Sequence, residues 1–137
     1  MISPLLDTCA AIWISRDEKI SDAATALLDH TADEGRPIYV SPITAWEIGL
    51  LVAKGRAALP VAPPAWFDRL MDAPFFRLAE MPPEVLIASS FLPGAHFRDP
   101  ADRILLATAR SFGLTLITRD RTLLSYAAAG HVQAVPC

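Results

Sequence analysis

Strand-like and helix-like segments alternate along most of these 137 residues. That alternation predicts an α/β fold, a parallel sheet covered by helices on both faces. Three observations carry the prediction. Short runs of apolar and β-favouring residues recur, as in "ISPLL", "RPIYVS" and "LTLIT". Segments of helical period lie between them, and residue types that start and stop helices stand at the joins. A chain of this length is expected to form one domain, residues 1–137, with a substantial core.

The elements follow in order. "ISPLL" reads as a buried strand ending at Asp7, which is also placed to cap a helix after it. Ser21 is the N-cap of a helix through "DAATALLDHTA", with Ala24, Leu27 and Leu28 on one face. Pro37 opens a second strand made of Ile38, Tyr39 and Val40. Pro42 suits the first turn of the next helix, "PITAWEIGLLVAKG", and Gly55 lies near its end. "PPAWFDRLMDA" is a short amphipathic helix with Trp66, Phe67, Leu70 and Met71 as its stripe, and "PFFRLAE" is a third strand. "PPEVLIASSFLPG" is expected to be helical up to its Pro93-Gly94 stop. In "FRDPADRILLATA", Asp99 is an N-cap, Pro100 starts the helix and Asp102 at its third position gains from the helix dipole. Gly113 closes that helix, "LTLIT" is a buried strand, and "HVQAV" is a final short one.

Composition narrows the function. The chain is 53% hydrophobic and 20% charged, as a well-packed soluble protein would be. Its net charge of -3 argues against holding nucleic acid by bulk electrostatics, so any such contact must be local or metal-mediated. No stretch approaches the roughly 18 apolar residues of a membrane span, and "MISPLLDTCA" lacks the basic flank of a signal peptide. No membrane association and a cytoplasmic location are therefore expected. Cys9 and Cys137 stand at opposite ends without metal-ligand spacing, so both are read as reduced, Cys9 as a small buried residue and Cys137 as a frayed end.

Several chemistries drop out. The glycines are too dispersed for a dinucleotide or phosphate loop, and no GxSxG elbow is present. His30, His96 and His131 lack paired ligand spacing. An aspartyl phosphotransferase would want an acid two residues after Asp7, where Cys9 stands, or a lysine late in the sheet, whereas the only lysines are Lys19 and Lys54.

Four acids stand out by placement: Asp7 after the first strand, Glu47 within an apolar helix, Asp102 at a helix start, and Asp120 after "LTLIT". Strand ends and helix starts meet at one edge of a parallel sheet, so these carboxylates are expected in one pocket. Each alone has a plain reading as a cap, a turn residue or a solvent-facing acid; the joint placement is the signal. Clustered carboxylates repel unless a cation neutralises them, and an all-oxygen set suits Mg²⁺ or Mn²⁺. Such ions activate water and stabilise the leaving oxygen in phosphodiester hydrolysis. Arg98, Arg103, Arg119 and Arg121 adjoin these acids or Asp99 and are candidates to grip phosphates, or to form weak surface pairs.

The segments "LLDTCAAIW", "VSPITAWEIG", "KGR", "LPGAHFRDPADRILLATA" and "LITRD" occur in the order and spacing of PIN-domain proteins. The chain most resembles the VapC-type ribonuclease toxins of bacterial toxin-antitoxin pairs. The resemblance implies a three-layer α/β/α sandwich with a central, mostly parallel sheet. It also implies a Mg²⁺- or Mn²⁺-dependent endoribonuclease, a homodimer, RNA as substrate and a VapB-like antitoxin that inhibits within a larger complex. By position, the family's four acids fall on Asp7, Glu47, Asp102 and Asp120, and its hydroxyl positions on Thr8 and Thr118. Asp99 matches an extra aspartate of one family variant. Two departures stand out: Cys9 replaces a frequent His, and Ala101 replaces a bulky apolar residue. Trp13, Ile14, the Ala24 to Leu28 face and the Trp66, Phe67, Met71 cluster would suit a partner helix, or simply the core. The competing reading is a catalytically weak or inactive PIN-fold binding protein that acts through such a partner.

The two acids of "FRDPADR" should separate in function. Asp99→Asn is expected to cost RNA cleavage less than about threefold, since Asn also caps, whereas Asp102→Asn should remove nearly all of it. Equal losses in a cleavage assay would contradict that division.

Overall fold

A computed structural model of the protein describes residues 2–137. The sheet is built from β1 (Ser3–Leu6), β2 (Ile38–Val40), β3 (Phe76–Leu78), β4 (Leu114–Thr118) and β5 (Gln133–Pro136). The helices are α1 (Thr8–Ser15), α2 (Asp22–Asp33), α3 (Pro42–Ala53), α4 (Pro63–Met71), α5 (Pro83–Ala88), α6 (Pro100–Phe112) and α7 (Arg121–Ala128). Strand order is β3-β2-β1-β4-β5, and every pairing is parallel. The chain winds outward from β1 to β3, then returns to place β4 on the other side of β1. The order therefore reverses between β1 and β4, and a crevice opens there at the carboxyl ends of the strands.

The side-chain period of two divides the core. Leu5 and its register partner Leu116 face one side, where Leu105 and Leu106 of α6 and Leu123 and Tyr126 of α7 cover them. Leu6 and Ile117 face the other, against Ala10, Ala11 and Ile12 of α1, Ala24 of α2 and Trp66 and Leu70 of α4. Two apolar clusters on one sheet make the expected three-layer sandwich. α3 bridges them, with Ile43 packed on the first cluster and Ile48 buried in the second. All five residues of β4 are buried, which is why "LTLIT" shows no polar alternation.

Start and stop residues act as read at Ser21 and Asp99, which accept from backbone N–H groups as N-caps of α2 and α6; Ser41, not singled out in the sequence, does the same for α3 ahead of Pro42. Gly113 closes α6 with φ +64°, a conformation that favours glycine.

Some expectations change. The "PPEVLIASSFLPG" helix stops at Ala88: the Ser90 and Phe91 N–H groups donate to the carbonyls three residues back, Ile87 and Ala88, and the Ser89 carbonyl accepts from Arg103 Nε at 2.7 Å. α7 has no counterpart in the sequence reading, although Asp120 caps it and Leu123 and Tyr126 lie three apart on its buried side. The two cysteines exchange their expected places. Cys9 is exposed, because it sits on the open side of α1, while Cys137 is buried in the second cluster, held by the end of β5. Ala24 and Trp66, expected to suit a partner, are buried in the core, and Trp13, Ile14, Leu27, Leu28, Phe67 and Met71 pack against it.

Leu116 is fully buried at the centre of the sheet. Leu116→Ala is expected to lower unfolding stability by about 3 kcal/mol through lost burial and an unfilled cavity, measured by urea denaturation.

Candidate active site

At the carboxyl edge of the sheet a cleft of about 250 Å³ is lined by Asp7, Thr8, Cys9, Trp13, Glu47, Asp102, Leu105, Arg119 and Asp120. The fold brings all four sequence-nominated acids to it, three of them from helix starts. Asp7 is the N-cap of α1, Asp120 the N-cap of α7, and Asp102 follows the Asp99 cap of α6. Glu47 lies farther along α3, on the side facing α1. Helix N-termini carry partial positive charge, which favours acids at this edge.

Two threonines tie the acids down. Thr118 Oγ1 donates to Asp7 Oδ2 at 2.5 Å and accepts from the Asp120 backbone N–H at 3.0 Å. One hydroxyl thus links the acid after β1 to the one after β4. Asp7 Oδ1 accepts from Ala10 N–H at 2.7 Å, so both oxygens of this buried carboxylate are bonded. On the other side, Thr8 Oγ1 donates to Glu47 Oε1 at 2.5 Å and lies 3.2 Å from the Thr44 hydroxyl. Thr44 is fully buried and had no sequence signal beyond its place one helical turn before Glu47. Asp99 is exposed, and its Oδ1 accepts from Asp102 N–H at 3.1 Å.

Burial raises the Asp7 carboxyl above its ordinary range, against the lowering effect of its Thr118 and Ala10 bonds. Burial likewise raises Glu47, against its Thr8 bond and with the charges of Asp99 and Asp7. Asp102 is pushed up to about 7 by burial and then by the charges of Asp99, Asp120, Glu47 and Asp7. Although Cys9 is exposed as a residue, partial desolvation of its thiol and then the charges of Asp7, Glu47, Asp102 and Asp120 push the thiol up to about 11.

The arginines are placed differently from one another. Arg103 donates to the Ser89 and Phe97 carbonyls and covers the Phe97 ring, so it braces the entry to α6. Arg119 lines the cleft but bonds the Cys137 and Lys19 carbonyls. Arg98 and Arg121 are exposed. Among the described residues the ion pairs join Arg16 to Glu18, and His30 and Arg36 to Glu34, none of them at the cleft.

Clustered carboxyls with no ion-paired arginine repel one another, and their oxygens are of the type that hard divalent cations take. Among the described residues no three His, Cys, Asp or Glu side chains stand close enough together, as placed, to hold a metal ion.

The family model described as PIN domain matches residues 5–129. A Mycobacterium tuberculosis (strain ATCC 25618 / H37Rv) protein named ribonuclease VapC22 is 34% identical over 127 residues, covering 92% of this chain and 93% of its own length. Among solved structures, VapBC2 from Rickettsia felis bound to a promoter DNA fragment aligns with a TM-score of 0.70 at 15% identity, over 99% of this chain and 98% of that one. DNA-bound VapBC from Salmonella typhimurium aligns with a TM-score of 0.68 at 14% identity, over 99% and 98%. At these identities the structural matches speak to fold.

The raised Asp102 pKa has a sign that can be worked out. Its folded state binds a proton more tightly than the unfolded chain, so metal-free stability falls as pH rises from about 4 to about 7. Asp102→Asn removes that loss and should stabilise the metal-free protein by about 1 to 2 kcal/mol near pH 8, a range reduced for solvent screening. Urea melts in chelator at acid and alkaline pH, wild type against variant, check the sign.

Proposed function

The chain belongs to the PIN domain family, and on that premise we propose that it is a metal-dependent endoribonuclease toxin of the VapC type, restrained by a small VapB-like antitoxin. The observation that carries the reading is the single cleft lined by Asp7, Glu47, Asp102 and Asp120, where three of the four carboxyls are pushed above their ordinary range. The 34% identity to a protein named a ribonuclease supports the same chemistry.

The four acids would hold Mg²⁺ or Mn²⁺. Such an ion supplies the charge that polarises a phosphoryl oxygen and makes water nucleophilic at neutral pH. The chain's own residues provide the rest. Thr118 holds Asp7 in one orientation, and Thr8 does the same for Glu47, so two carboxylates are fixed before any ion arrives. Asp99 caps α6 and thereby sets the start of the helix that presents Asp102. Asp102, raised to about 7 in the metal-free protein and so about half protonated at neutral pH, would hold the cation as a carboxylate. Exposed Arg98 and Arg121 flank the acids in sequence and supply local positive charge for RNA phosphates on a chain whose net charge is negative.

Surface features support the partner part of this reading. A groove of about 300 Å³ between α1 and α4 is lined by Ile14, Val61, Trp66 and Leu70 with Arg16 and Arg69 beside them, which suits an apolar segment carrying acids. On α3, Trp46 and Leu50 are exposed. Ile87 and Phe91, 63% and 79% exposed, give an apolar patch consistent with the expected homodimer. Among the described residues no helix is long and apolar enough to cross a membrane.

Purified, partner-free protein with total RNA and Mn²⁺ is expected to cleave, and Asp7→Asn or Asp102→Asn to slow cleavage at least about a hundredfold with the circular dichroism spectrum unchanged. Cleavage that survives excess chelator would refute the metal mechanism. Absence of cleavage at any site would favour the binding-protein reading instead.

A further inference from the structure

One wall of the cleft is made by Trp13 and Arg119. Trp13 sits on α1, half-buried, packed against the core cluster on that side of the sheet. Arg119 follows β4 and is exposed. Its guanidinium carbon stands 3.7 Å from the centre of the Trp13 ring, the spacing of stacking contact. All the N–H bonds of a guanidinium lie in its plane. Nε donates to the Cys137 carbonyl at 3.2 Å and Nη2 to the Lys19 carbonyl at 3.3 Å. Backbone acceptors thus take part of the edge and Trp13 takes one face. Among the described residues Trp13 is the only ring in cation–π contact with Arg119.

An arginine held this way differs from a free phosphate grip. Long surface side chains lose rotamer freedom when they bind, and here most of that freedom is already gone. What remains toward solvent is a flat cationic face beside the acids. Unstacked nucleobases pack on such guanidinium planes and on aromatic rings, and the contact tolerates any base because every base has a π-face.

We propose that Trp13 and Arg119 form a nucleobase platform in the cleft, on which a base next to the scissile phosphate lies against the outer face of the guanidinium. The proposal rests on the ribonuclease reading above and adds a pair of positioning residues to it. Trp13 acts through Arg119 by keeping its plane fixed, and Arg119 holds the base equally before and during cleavage, retaining the strand in the cleft.

The test compares a labelled short single-stranded RNA with the same strand carrying consecutive abasic residues at its centre. Binding is read by fluorescence anisotropy in an Asp102→Asn background, so that the strand survives. The abasic strand is expected to bind about tenfold more weakly. Arg119→Lys, which keeps the charge and loses the plane, should weaken the intact strand by about the same factor and erase the difference between strands. With Asp102 restored, Arg119→Lys should raise KM about tenfold while kcat stays within about threefold. If Arg119 only ties down the Cys137 and Lys19 segments, its replacement would affect both strands alike, and that result overturns the platform. Wild-type protein that cleaves RNA while the two strands bind equally overturns the platform alone. Protein that cleaves no RNA yet binds in an abasic-sensitive way overturns the ribonuclease reading and upholds the platform.

Discussion

The parallel pairing of β1 with β4 determines where everything else at the site can be. Leu5 against Leu116 and Leu6 against Ile117 are buried on opposite faces, so a slip of one residue would turn both apolar sets to the wrong layer. With that register fixed, β1 and β4 end side by side, and the residues just beyond them must share the crevice where strand order reverses. The pairing continues past the strand in one backbone bond, from Asp7 N–H to the Ile117 carbonyl. It then passes into side chains through the bond from Thr118 to Asp7. Apolar burial thereby positions a carboxylate.

Crowding acids at this edge costs stability, and the local structure limits that cost without removing it. Helices α1, α6 and α7 begin there, and their unpaired N–H groups favour negative charge. Asp7, Asp99 and Asp120 use this directly as N-caps. The two threonine hydroxyls satisfy one oxygen each of Asp7 and Glu47. Asp102 has no comparable side-chain partner among the described residues, and it is the acid raised to about 7. Burial first, and then the repulsion of its neighbours, is what this carboxyl carries without a hydroxyl to offset it.

Much of the fold was legible because local rules and tertiary packing agree. Ser21, Pro42, Asp99-Pro100 and Gly113 mark helix ends by backbone chemistry that needs no distant partner. Disagreement appears where a distant group intervenes. After Ala88 the chain tightens into three-residue turns, and an arginine from α6 holds the Ser89 carbonyl there. Cys9 and Cys137 could not be sorted into exposed and buried from a chain with no neighbours in view. The acids were legible as positions at element ends, whereas Thr44, one turn before Glu47 and fully buried, was not. Its role comes from facing Thr8 across two helices.

By itself, the sequence determined that strands and helices alternate, that the strands are buried, and that acids stand after β1 and β4 and at the start of α6. These follow from hydrophobic period and capping, both local in the chain. Only the tertiary structure decided how those acids are held and which arginines stay free near them. Arg98, Arg103, Arg119 and Arg121 look alike in sequence, but Arg103 braces a loop and Arg119 lies flat on Trp13. A long cationic side chain takes its role from whichever carbonyl or ring lies within reach, and those partners come from segments as distant as Lys19 and Cys137.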